Sequence, residues 1–86
     1  MSDFTIRTTA QFPIMIRAFR KQAGLTQAAV ATRLGVTQQT YSALERNADK
    51  MSADRLLLLL GILGADLVLR EKNAKHPTKT ATTLDW

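Results

Sequence analysis

The chain has no cysteine and a single histidine, and each scarcity removes a class of function. Without thiols there are no disulfides, no thiolate metal sites and no thiol nucleophile. One imidazole, His76, cannot by itself build a histidine metal site, and it lies in a polar stretch where nothing would orient it as a general base. The carboxylates Asp3, Glu45, Asp49, Asp54, Asp66, Glu71 and Asp85 are scattered, with no pair at catalytic spacing, and there is no glycine-rich phosphate loop. These absences point away from an enzyme and away from any metal or cofactor. The longest apolar run, Leu56 to Leu60 with Ile62 and Leu63 beyond, is too short to span a bilayer and lacks the basic face of a membrane-surface helix. Met1-Ser2-Asp3-Phe4 has neither a basic nor an apolar leader character, so a soluble cytoplasmic protein is expected.

Positive charge is what the chain has in excess. Twelve Lys and Arg against seven Asp and Glu leave a net charge of +5, a balance that favours an anionic partner, nucleic acid before membrane. At 86 residues, 45% hydrophobic and 22% charged, the chain reads as one small globular domain. Chains of this size bury only about 60–65% of the surface their unfolded form exposes. With disulfides and metals excluded, a second subunit is the remaining reinforcement, and a homodimer is expected.

Periodicity divides the chain into an all-α domain over residues 10–64 with short flanking segments. Residues 1–9 read as an arm or a short strand, Phe4 and Ile6 alternating with Asp3, Thr5 and Arg7. A first helix is expected from about Ala10 to Ala23, with Phe12, Met15, Ile16 and Phe19 at helical spacing and Gly24 as its stop. Thr26 caps a second helix, Gln27 to Leu34, which Gly35 ends. Thr37 caps a third, Gln38 to Arg46, carrying Tyr41 and Leu44 inward, and residues 47–51 form a loop. Ser52 caps a fourth helix, Ala53 to Leu63, which is apolar on nearly every side. One small domain cannot cover such a helix all round, so Leu57 and Leu59 are assigned to a dimer contact. After Gly64, residues 65–72 have the alternating character of a strand. A lone strand is unstable, so its partner is either residues 3–7 or the same strand of a second subunit. Residues 73–86 are polar and Thr-rich and read as a flexible tail, yet the chain closes in Leu84-Asp85-Trp86.

The most informative stretch runs from Gln27 to Arg46, two short helices meeting at a steep angle. Ala31 is small where the helices pass closely, Gly35 makes the turn, and Val30, Leu34, Val36, Tyr41 and Leu44 fill the wedge. A plain helical hairpin would not need the polar cluster that accompanies these positions, and in a basic chain the combination signals DNA binding.

The segments Gly24-Leu25-Thr26-Gln27 and Leu34-Gly35-Val36-Thr37-Gln38-Gln39-Thr40-Tyr41-Ser42-Ala43-Leu44-Glu45 are close to a known consensus. Residues 11–64 resemble the Xre/Cro helix-turn-helix domain of phage repressors and bacterial regulators. The resemblance implies that the third helix enters the major groove of operator DNA, with Thr37, Gln38, Gln39 and Ser42 facing the bases. A glutamine amide can bond adenine N6 and N7 together, so Gln38 and Gln39 are the base-reading candidates, although either could instead bond a phosphate or its neighbour. The resemblance also implies that Gln27 contacts the DNA backbone and braces the third helix, while capping alone would explain Thr26. Arg33, Arg46, Asn47 and Lys50 are further backbone candidates. Arg20 and Glu45 are paired, by the same resemblance, in a structural ion pair. Asn47 stands where many relatives have glycine, a replacement that the left-handed conformation tolerates.

The short strand and the Leu84-Asp85-Trp86 ending resemble HipB antitoxins. That likeness implies a dimer that represses its own operon and restrains a HipA-type Ser/Thr kinase toxin. It also implies intersubunit strand pairing through Leu67, Val68 and Leu69. Trp86, the only tryptophan, would then be an aromatic anchor for a partner, the alternative being that it folds back on its own domain. A stand-alone phage-type repressor without a toxin is the competing reading.

Overall fold

The computed structural model describes residues 3–72. They form four helices, α1 (Phe12–Gln22), α2 (Gln27–Leu34), α3 (Gln38–Arg46) and α4 (Ala53–Ile62), with single 3-10 turns at Thr9–Gln11 and Ala48–Lys50. No strand occurs among the described residues.

Three helix starts follow directly from side-chain chemistry. Thr26, Thr37 and Ser52 each accept a hydrogen bond from the backbone N–H three residues on, at 3.0, 3.1 and 3.1 Å. Each cap satisfies one of the N–H groups that an opening turn leaves without a partner. α1 begins two residues later than expected because Gln11 ties down the segment before it. Its Oε1 accepts from the backbone N–H groups of Arg7 (2.5 Å) and Thr8 (3.0 Å), and its Nε2 donates to the Thr5 carbonyl at 3.3 Å. Pro13 then falls in the first turn, where a missing N–H costs nothing. Gly35 ends α2 at φ +81°, in the left-handed region, and the N–H of Val36 closes back on the Ala31 carbonyl at 3.0 Å. This is the glycine-centred stop that turns the chain sharply into α3.

The core gathers Met15 and Ile16 of α1, Val30 and Ala31 of α2, Tyr41 of α3, Ala48, and Leu56, Leu59, Leu60 and Leu63 at α4. Phe4 and Ile6 of the arm pack against it. α4 thus presents one face at i, i+3, i+4 and i+7, even though its composition hides the periodicity. Leu59 is fully buried on that face and is therefore a core residue, not the dimer-contact residue expected of it. Leu57 and Leu58 lie on the other side, 52% and 56% exposed. Leu44, expected inward, is only half-buried and lines a groove beside Met51.

Within the single chain, the expected strand at 65–72 does not form among the described residues. The N–H of Ala65 caps α4 by donating to the Leu60 carbonyl at 2.9 Å, and no backbone hydrogen bond joins residues 3–7 to residues 65–70. An exposed ion pair, Arg70 to Asp3 at 3.6 Å, links the two segments. A ladder needs a neighbouring strand, and the arm spends its apolar side chains on the core instead. Leu67, Val68 and Leu69 remain exposed. Residues 73–86, and with them the expected role of Leu84, Asp85 and Trp86, lie outside the described residues.

Candidate nucleic-acid interface

α3 is two-faced. Its inner positions, Tyr41 and Glu45, are buried, while Gln38, Gln39 and Arg46 are exposed and Ser42 is half-buried. Residue 42 lies four positions after 38 and three after 39, and 46 four after 42, so they share one side of the helix. Thr37 caps that side at its start, its hydroxyl also donating to Thr40 Oγ1 at 3.0 Å.

Glu45 is the anchor of the inner face. It is 2% exposed, and four donors converge on its carboxylate. Oε2 accepts from Arg20 Nε at 2.7 Å and from the Tyr41 hydroxyl at 2.8 Å; Oε1 accepts from Gln27 Nε2 at 2.9 Å and from Arg20 Nη2 at 3.2 Å. Arg20 Nη1 further donates to the Leu25 carbonyl at 3.1 Å. One carboxylate thereby fastens α1, α2 and α3 together and sets the angle between the two helices of the motif. Burial pushes the Glu45 carboxyl up, but the hydrogen bonds from Arg20, Gln27 and Tyr41 and the charge of Arg20 outweigh it and hold the group below its ordinary range. The same contact raises the Arg20 guanidinium. Burial, and then the bond to Glu45, raise the Tyr41 phenol. All three keep one charge state over the physiological range.

Above this network lies an open basin of about 250 Å³, lined by Arg17, Arg20, Lys21, Gln27, Ser42, Glu45 and Arg46. Arg20, Gln27, Ser42, Glu45 and Arg46 are candidates from sequence alone; Arg17 and Lys21 are not. Their spacing from Arg20 on one helix side was the available signal. The other candidates fall elsewhere. Thr26 is occupied in its cap, and Arg33 stands in the last turn of α2, away from the basin. Lys50 lines the groove on the opposite flank of α3 and makes a loose pair with Asp49 at 3.5 Å. Asn47 is not left-handed. Its φ is −108°, and both its backbone N–H (2.9 Å) and its side-chain amide (3.0 Å) donate to the Ala43 carbonyl. The turn here needs no positive φ, which is why asparagine replaces glycine without strain.

A helix-turn-helix family profile matches residues 16–69. The chain belongs to the Xre-type helix-turn-helix family. Along its whole length it is 30% identical to the antitoxin HipB of Escherichia coli O6:H1 strain CFT073, covering 93% of that protein. It is 29% identical to the antitoxin HipB of Escherichia coli K12, covering 99%. A solved structure described as an XRE-family transcriptional regulator matches with a TM-score of 0.54 and 30% identity, over 88% of this chain and 89% of that one. The protein is a DNA-binding regulator of this family. Among the described residues, no helix is long and apolar enough to cross a membrane, and no cluster of His, Asp or Glu could hold a metal ion.

Proposed function

We propose that this regulator is a homodimeric operator-binding repressor and the antitoxin of a HipBA-type pair, restraining a HipA-type Ser/Thr kinase. The observation that carries the antitoxin reading is the end-to-end similarity to two HipB antitoxins, which extends beyond the helix-turn-helix segment common to the wider family. In this reading α3 lies in the major groove with Gln38 and Gln39 on base edges and Thr37 and Ser42 beside them. Thr26, Gln27, Arg33, Arg46, Asn47 and Lys50 meet the flanking backbone. Leu57 of α4 and the exposed Leu67-Val68-Leu69 segment meet a second subunit, where strands from two chains supply each other's missing ladder. Two recognition helices then address successive major grooves about 34 Å apart on an inverted repeat. Leu84, Asp85 and Trp86 contact the kinase.

Co-purification from the native host separates the readings. The full-length chain should retain a Ser/Thr kinase identified by mass spectrometry, and a chain ending at Thr83 should lose it. Retention by both keeps the antitoxin but removes the tail contact. Operator DNA without a kinase partner in either case leaves a stand-alone repressor.

A further inference from the structure

The basin beside α3 carries an excess of positive charge. Four basic side chains, Arg17, Arg20, Lys21 and Arg46, line it against one carboxylate, Glu45, a difference of three positive charges. That carboxylate has no capacity left for the others. A carboxylate offers about four acceptor sites, and all are used by Arg20 (twice), Gln27 and Tyr41. Among the described residues neither Arg17, Lys21 nor Arg46 is ion-paired. The wall formed by α1 carries Arg17 and Lys21, one helical turn apart, and the wall formed by α3 carries Ser42 and Arg46, again one turn apart. The buried network lies beneath them. Ser42 and Arg46 also belong to the side of α3 that bears Gln38 and Gln39, so the basin opens next to the base-reading positions.

We propose that this basin seats a phosphodiester of the DNA backbone, with Arg17 and Lys21 of α1 as its cations opposite Arg46 and the Ser42 hydroxyl as a donor to a phosphate oxygen. The inference rests on the DNA-binding reading and deepens it. It brings α1 into contact with DNA, and it gives the Glu45 network a second consequence: by saturating its only carboxylate, the network leaves the basin's remaining cations for an external anion. A phosphate held there fixes how far α3 slides along the groove, since the seat and the base-reading side chains share one helix.

The test is the salt dependence of binding to a mixed-sequence duplex, measured by fluorescence anisotropy with the full chain between about 50 and 200 mM salt. Each phosphate contact contributes about 0.9 to the slope of log K against log salt. Arg17→Ala and Lys21→Ala should each flatten the slope by about that amount per bound protomer, and Arg17→Lys should restore it. Both side chains are exposed on α1, so unchanged circular dichroism is expected. Arg7→Ala removes the same charge from an exposed position outside the basin and should leave the slope at its wild-type value. If Arg17→Ala and Lys21→Ala keep the wild-type slope, or if Arg7→Ala flattens it equally, the seat is overturned while DNA binding stands. A wild-type chain that binds no duplex would overturn the DNA-binding reading itself.

Discussion

Residues with opposite duties share α3, Gln39 on its outer side and Glu45 on its inner side. Gln39 is exposed on α3, and its side-chain amide is available to a base edge. Gln39→Ala should relax base preference at one position in each half-site at a cost of about 1–3 kcal/mol. Selection of bound sequences from a random library checks this, and an even loss over all sequences would make Gln39 a backbone contact. Glu45 works in the opposite direction, inward. With Arg20 and Glu45 side chains 11% and 3% exposed, removing one partner strands a buried charge. Glu45→Gln should therefore cost about 3 kcal/mol or more in a urea melt, a large part of the few to roughly a dozen kcal/mol available to a domain this size. The pH sign follows from the depressed carboxyl. Its contribution is complete above the ordinary value of 4.5 and is lost as pH falls through the lower folded value. Wild-type stability should drop on acidification below about pH 4.5, more steeply than that of the Glu45→Gln chain.

Elements are delimited by a few positions whose neighbours in space matter less than their backbone angles. Gly35 has open space where a Cβ would be added, but its φ of +81° is one that L side chains rarely adopt. Gly35→Ala should destabilise the domain by about 1 kcal/mol and tilt α3 against α2. Gly61 also has open space around it, yet it lies inside α4 with no positive φ. Gly61→Ala should instead raise the stability by about 0.4–1 kcal/mol, since alanine fits the helical backbone of this last turn of α4 and has less freedom to lose on folding. The opposed signs, read from thermal melts of the two variants, test whether backbone conformation rather than packing governs both sites.

At the scale of the whole molecule, the unresolved balance is apolar surface. Leu57, Leu58, Leu67, Val68 and Leu69 are all more than half exposed, a concentration that monomeric domains rarely leave to water. Sedimentation equilibrium should show a dimer at micromolar concentration. Leu67→Asp combined with Leu69→Asp should yield a folded monomer, because neither residue belongs to the core, and should sharply weaken binding to an inverted-repeat site. A wild-type monomer would remove the paired-helix geometry from the proposed function.

The sequence alone determined the helices whose ends carry their own chemistry. Thr26, Thr37, Ser52 and Gly35 act through bonds to residues three to five positions away, so local pattern was enough to place α2 and α3 and the start of α4. It also exposed the motif and the side of α3 that faces outward, because helical spacing is a local property. Tertiary structure decided what depends on distant neighbours. Leu59 and Leu57 look alike in a run of leucines, and only the packing of α4 against the rest separates core from surface. Residues 65–72 read like a strand but form no ladder among the described residues, because a strand is defined by its partner. The convergence of Tyr41, Gln27 and Arg20 on Glu45 joins three helices, and only the fold shows that this quenches the one carboxylate of the basin. Arg17 and Lys21 were ordinary surface cations in the sequence. Their placement across from Ser42 and Arg46, by the angle between α1 and α3, is what makes them a candidate seat for phosphate.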